Sequence, residues 1–108
     1  MSWTKVCKKD MMIPDTGLCV KGANGEHIAV FWEGATDQLF AISNQCPFAN
    51  ASVLSRGLLA EFSGKLTVAS PVYKQHFNLK TGECLEDENV TLKTYSVRES
   101  DGIVEVMA

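Results

Sequence analysis

Two proline-bearing segments carry the side chains best able to do chemistry: Asn44-Gln45-Cys46-Pro47-Phe48 and Ser70-Pro71-Val72-Tyr73-Lys74-Gln75-His76. Loops of this kind, thrown from the ends of strand pairs, can meet at one tip of a β-fold. Such tips hold metal clusters or docking surfaces. Other candidates lack a supporting pattern. Cys7, Cys19, Cys46 and Cys84 stand 12, 27 and 38 residues apart and form no CxxC pair, so zinc-ribbon and thioredoxin chemistry have no local support. His27 and His76 lie 49 positions apart, with no acid or nucleophile at a motif spacing. Ser55 sits in no GxSxG elbow, and Gly22, Gly25 and Gly34 do not make a GxGxxG fingerprint.

The elements that must position the two loops read as strands. Trp3 to Cys7 is a short strand, and Pro14 pushes Ile13 out of helical geometry, which makes Met11 to Asp15 a connection. Gly17 to Lys21 and His27 to Trp32 flank Asn24-Gly25, a pair that accepts positive φ and marks a hairpin. Glu33 to Asp37 turns the chain into Gln38 to Ser43. Ala49 to Leu54 could form a helical turn or two, ended by Gly57. Leu58 to Phe62 pairs with Lys65 to Ala69 across Ser63-Gly64, and Gln75 to Leu79 pairs with Glu83 to Glu86 across Lys80-Thr81-Gly82. Leu92 to Arg98 alternates as one strand and turns at Ser100-Asp101-Gly102 into Ile103 to Met107. Turn signals about every ten residues predict an all-β antiparallel sandwich or barrel of about 8–10 short strands with at most one short helical turn.

Size fits one domain, residues 1–108, able to bury about two thirds of its unfolded surface. No apolar run approaches the roughly 20 residues of a membrane span. Met1-Ser2-Trp3-Thr4-Lys5 lacks the apolar stretch of a secretory signal, so a cytoplasmic location is expected. In a reducing compartment the cysteines are expected as thiols rather than a disulfide framework. The net charge of −3 is uneven: residues 38–82 hold four bases against Glu61, and residues 83–108 hold seven acids against Lys93 and Arg98. Nucleic acid calls for a denser basic patch than this. Protein docking at the basic segment is compatible with it.

The order of these features resembles a Rieske-type iron–sulfur domain. The resembling phrases are Ser43-Asn44-Gln45-Cys46-Pro47, Leu54-Ser55-Arg56-Gly57, Pro71, and Phe77-Asn78-Leu79-Lys80-Thr81-Gly82-Glu83-Cys84-Leu85. In such domains two thiolates hold one iron and two imidazoles the other. Taken position by position, Cys46 matches the first cysteine, Phe48 stands at the first histidine, Ser70 at the second cysteine and Tyr73 at the second histidine. His76 lies three residues beyond Tyr73, ~10 Å of extended chain. The resemblance therefore implies the fold without its [2Fe–2S] cluster.

Ser52 to Gly57, Val68 to Phe77 and Cys84 to Glu88 resemble the small subunit of bacterial NAD(P)H-dependent nitrite reductase, from Trp3 to Val106. That resemblance implies a cytoplasmic enzyme reducing nitrite to ammonium in nitrate and nitrite assimilation. FAD, siroheme and a [4Fe–4S] centre would sit in the large subunit, the expected partner. The isolated chain would be a non-catalytic accessory with no metal site. Phe48, Arg56, Tyr73, Lys74 and His76 would form its docking tip. Phe48 could equally fill the volume of a lost cluster. The alternatives are an electron-transfer protein with an incomplete or shared cluster, and a stand-alone structural β-domain.

Overall fold

The computed structural model describes residues 3–22, 25–46, 51–52, 54–62, 64–71 and 75–107. Among them run twelve strands: β1 (Trp3–Lys8), β2 (Gly17–Lys21), β3 (His27–Glu33), β4 (Gln38–Ser43), β5 (Gln45–Cys46), β6 (Ala51–Ser52), β7 (Leu58–Phe62), β8 (Lys65–Ala69), β9 (His76–Asn78), β10 (Thr94–Tyr95), β11 (Val97–Ser100) and β12 (Ile103–Met107). Every pairing is antiparallel. The sheets have the orders β1-β12-β11, β10-β4-β3-β2 and β7-β8-β9, with β5-β6 as a separate ribbon.

The four-stranded sheet is the middle layer, and β3 shows why. Ile28, Ala29, Val30 and Phe31 are all fully buried, although successive strand residues point to opposite faces. Ala29 and Phe31 join Phe40, Ile42, Leu54, Val68, Phe77, Leu79, Cys84 and Leu92 in one core. Ile28 and Val30 join Met12, Ala41, Val104 and Val106 in the other. A sheet covered on both faces requires an unbroken apolar run, which is how His27-Ile-Ala-Val-Phe-Trp reads. The β7-β8-β9 sheet and its loops cover one face; the β1-β12-β11 sheet covers the other.

The hairpins predicted between β2 and β3, β3 and β4, β7 and β8, and β11 and β12 are present. Gly25 and Gly64 take positive φ in the first and third, while Asn24 and Ser63 lie outside the described residues. Asp101 and Gly102, at φ 52 and 78, turn the last. A side-chain latch ties the Lys9 turn to the β3–β4 hairpin: Lys9 lies over the Trp32 ring at 3.6 Å, and both donate to Asp37 Oδ1, at 3.1 and 2.8 Å.

Four details differ from the sequence reading. The stretch 49–54 is not a helix where it is described: Ala51–Ser52 pairs with Gln45–Cys46, and a single 3-10 turn forms later, at Leu54–Arg56. A second 3-10 turn occupies Lys9–Met11. Leu92 to Arg98 is not one strand. Thr94–Tyr95 pairs with β4, and the chain then passes at Ser96 to the other sheet, where Val97–Ser100 pairs with β12. Tyr95 and Val97 both pack on the same core, so the alternation is real while the backbone partner changes. The expected pairing of Glu83 to Glu86 with β9 is present as one bridge, Phe77 to Cys84, flanked by Asn78 N–H donating to Glu83 O and Leu85 N–H donating to His76 O, each at 2.8 Å. The Cys84 N–H in turn donates to Val90 O at 3.0 Å. The strand count also exceeds ten, because β5, β6 and β10 are two-residue pairings.

Candidate functional site

The first loop starts at Asn44, which the strand pattern alone does not single out. Its side chain is 1% exposed. Its Oδ1 accepts from the Ser55 N–H at 2.6 Å, and its Nδ2 donates to Cys19 Sγ at 3.1 Å. Its backbone donates to His27 O at 2.9 Å and accepts from Leu54 N at 3.0 Å. One residue thus ties β2, β3 and the Leu54–Arg56 turn together. An amide suits the task because it carries both donors and an acceptor, and buried polar atoms need partners. The fully buried Leu54 anchors the turn in the core and leaves Arg56 exposed.

The second loop starts at Ser70, also buried at 1% exposure, whose N–H donates to Gln75 O at 2.8 Å. Beyond it His76 enters β9. The His76 N–H donates to Glu86 Oε1 at 2.7 Å, and its Nδ1 lies 2.6 Å from Glu86 Oε2. Cys84 Sγ reaches Glu86 Oε1 at 3.8 Å. Burial pulls the Glu86 carboxyl up, but the His76 backbone, ring and charge outweigh it and hold it below its ordinary range. Burial dominates at Cys84 and pushes that thiol up, making it a poor nucleophile at neutral pH.

The two loop bases share one cavity of about 440 Å³, lined by Arg56, Gly57, Leu58, Ala69, Ser70, Pro71 and His76. Gly57, one of its lining residues, packs tightly on β8: a Cβ there would stand 2.2 Å from Ala69 O. Leu58, at 78% exposed, stands at its edge. Arg56, Ser70 and His76 are therefore brought together, as the two-loop reading requires. Phe48, Tyr73 and Lys74 lie outside the described residues, as does the Cys46 side chain. Sequence reasoning missed Asn44, Leu58 and Glu86. Of these, Asn44 opens the first proline-bearing segment and Leu58 an apolar strand pattern, but neither position by itself indicates its role.

The side chains at the four positions that the resemblance matches to Rieske ligands do not fit a two-iron cluster. Cys46 supplies one thiol, Phe48 no donor, Ser70 a hydroxyl that is costly to ionise, and Tyr73 a phenol. The His76 imidazole is engaged with Glu86. Among the described residues no three His, Cys, Asp or Glu side chains gather as a metal ion would require.

The whole chain has known relatives. Residues 2–107 match the Rieske-like [2Fe-2S] domain family. The nitrite reductase (NADH) small subunit of Salmonella typhimurium is 50% identical over 104 residues, 96% of this chain and 95% of that one. The solution structure of the nitrite reductase small subunit from Erwinia carotovora superposes with a TM-score of 0.78 at 45% identity, covering 98% of this chain and 82% of the other. A nitrite reductase large subunit from Klebsiella oxytoca is 33% identical over 102 residues, 94% of this chain but 10% of that protein. With a family match along almost its whole length and half its residues shared with a small subunit of equal extent, the chain belongs to the Rieske-like domain family and, within it, to the nitrite reductase (NADH) small subunits.

Proposed function

We propose that this chain is the accessory subunit of a cytoplasmic NAD(P)H-dependent nitrite reductase and works by docking on the large subunit without a cluster of its own. The observation that carries the reading is the end-to-end likeness to small subunits of the same length. The partner follows from the Klebsiella oxytoca large subunit, in which a region like this chain is part of the same polypeptide. Nitrite is reduced to ammonium on the large subunit, where FAD, siroheme and a [4Fe–4S] centre supply the redox chemistry. The small chain contributes contact, with Phe48, Arg56, Tyr73, Lys74 and His76 as its candidate docking residues. The ligand positions support its lack of iron, since one thiol, one hydroxyl, one phenol and a phenyl ring cannot replace two thiolates and two imidazoles.

The test is reconstitution. The isolated chain, folded and pure, is expected to be colourless and iron-free, and to raise nitrite reduction when added to the large subunit. A brown preparation with iron and absorption between about 400 and 500 nm would show instead an electron-transfer protein with a partial or shared cluster. An unchanged rate and no complex would show a stand-alone domain.

A further inference from the structure

We infer that the cavity between the Leu54–Arg56 turn and the Ser70–Pro71 corner receives an apolar side chain of the large subunit with a carboxylate next to it. This rests on the accessory-subunit reading above. The cavity's walls are mostly apolar: Gly57, Leu58, Ala69 and Pro71. Its volume, about 440 Å³, lies in the range of pockets that enclose small ligands. Leu58 is the most exposed large hydrophobic side chain among the described residues, at 78%. It lines the cavity, where an incoming apolar group would remove both surfaces from water. Gly57 lets the turn pack directly on β8, since any larger residue there would collide with the backbone of Ala69.

The polar groups at the margin decide what accompanies that side chain. The Ser70 N–H is satisfied by Gln75 O, and His76 is held by Glu86 through its N–H and its ring. The Arg56 guanidinium, in contrast, makes no ion pair or hydrogen bond among the described residues. A guanidinium presents a planar fork that matches a carboxylate. An acidic neighbour on the incoming segment completes it, and an incoming Lys or Arg is rejected. The occupant is the large subunit because a domain like this one is joined to it in a single chain elsewhere.

The experiment places a photo-reactive benzoylphenylalanine at position 58 in the intact complex and maps the cross-linked peptide. It is paired with affinities of Leu58→Asp, Leu58→Met and Arg56→Glu for the large subunit. The cross-link is expected on a large-subunit peptide with an apolar residue beside Asp or Glu. Leu58→Asp and Arg56→Glu are expected to weaken binding at least about tenfold, with Leu58→Met near wild type. Both replaced side chains are exposed, so melting temperatures should stay close to wild type. Wild-type affinity in both charge variants, or a cross-link to a basic segment, overturns the inference and leaves the accessory reading intact. No complex with the wild-type chain removes both. A cross-link to a second copy of this chain overturns the inference in favour of self-association.

Discussion

Asn44 and Glu86 organise the site, although no catalytic or metal-ligand motif gives either of them a role. An asparagine before a cysteine reads as an ordinary turn former, and its role emerges only once Ser55 and Cys19 are folded against it. Glu86 lies in an acidic run of the kind that is usually solvated, ten residues from the histidine it holds. The Glu86–His76 contact makes a prediction about pH. A carboxyl held below its ordinary value of 4.5 stabilises the fold fully above that value and loses the contribution as pH falls through its lowered folded value. Glu86→Gln is therefore expected to be less stable than wild type at neutral pH, by a modest amount because the Glu86 side chain is 43% exposed. The gap should narrow below pH 4.5. Urea midpoints across the acid range read it, and a gap that stays constant to low pH would refute the contact. The sequence did make visible the residue types at the ligand positions, because they depend on identity and order alone.

Strands and their turns were legible because alternation and turn chemistry are local. Gln38 to Ser43 and Leu58 to Phe62 appear with the bounds expected. The helical turn expected over Ala49 to Leu54 appears as a 3-10 turn at Leu54–Arg56, and nothing local marks the handover at Ser96. In both cases the outcome depends on which distant strand the backbone meets, and side-chain periodicity does not encode that. Gly57 shows the cost of getting such a contact wrong. It follows the turn and lies against β8, where a Cβ would be 2.2 Å from Ala69 O and 2.7 Å from Val68 Cγ2. Gly57→Ala must push the turn away from β8, at a cost of about 1–3 kcal/mol. Chemical denaturation measures that loss. A variant as stable as wild type would mean the turn has slack at this point.

At the scale of the whole molecule, the continuous apolar run in β3 is compatible with a strand buried on both faces, but it does not say which layers cover it. Those layers come from segments far apart in sequence, 3–8 and 97–107 on one side and 54–92 on the other. Amide hydrogen exchange should follow this layering. The β3–β4 ladder, closed over both faces, is expected to exchange slowest, and the short β5–β6 and β10 pairings fastest. Equal protection in the outer sheets would contradict a middle layer that holds the other two together. No helix among the described residues is long and apolar enough to cross a membrane.

Trp3 stands opposite Met107 in the β1–β12 ladder, so the first and last strands leave the body side by side. A domain with neighbouring ends can be spliced into or appended to a longer polypeptide through one small junction, with no strand stretched to reach it. The same folded unit can then serve as a separate piece or as a built-in segment, and gene fusion or fission need not disturb its interior.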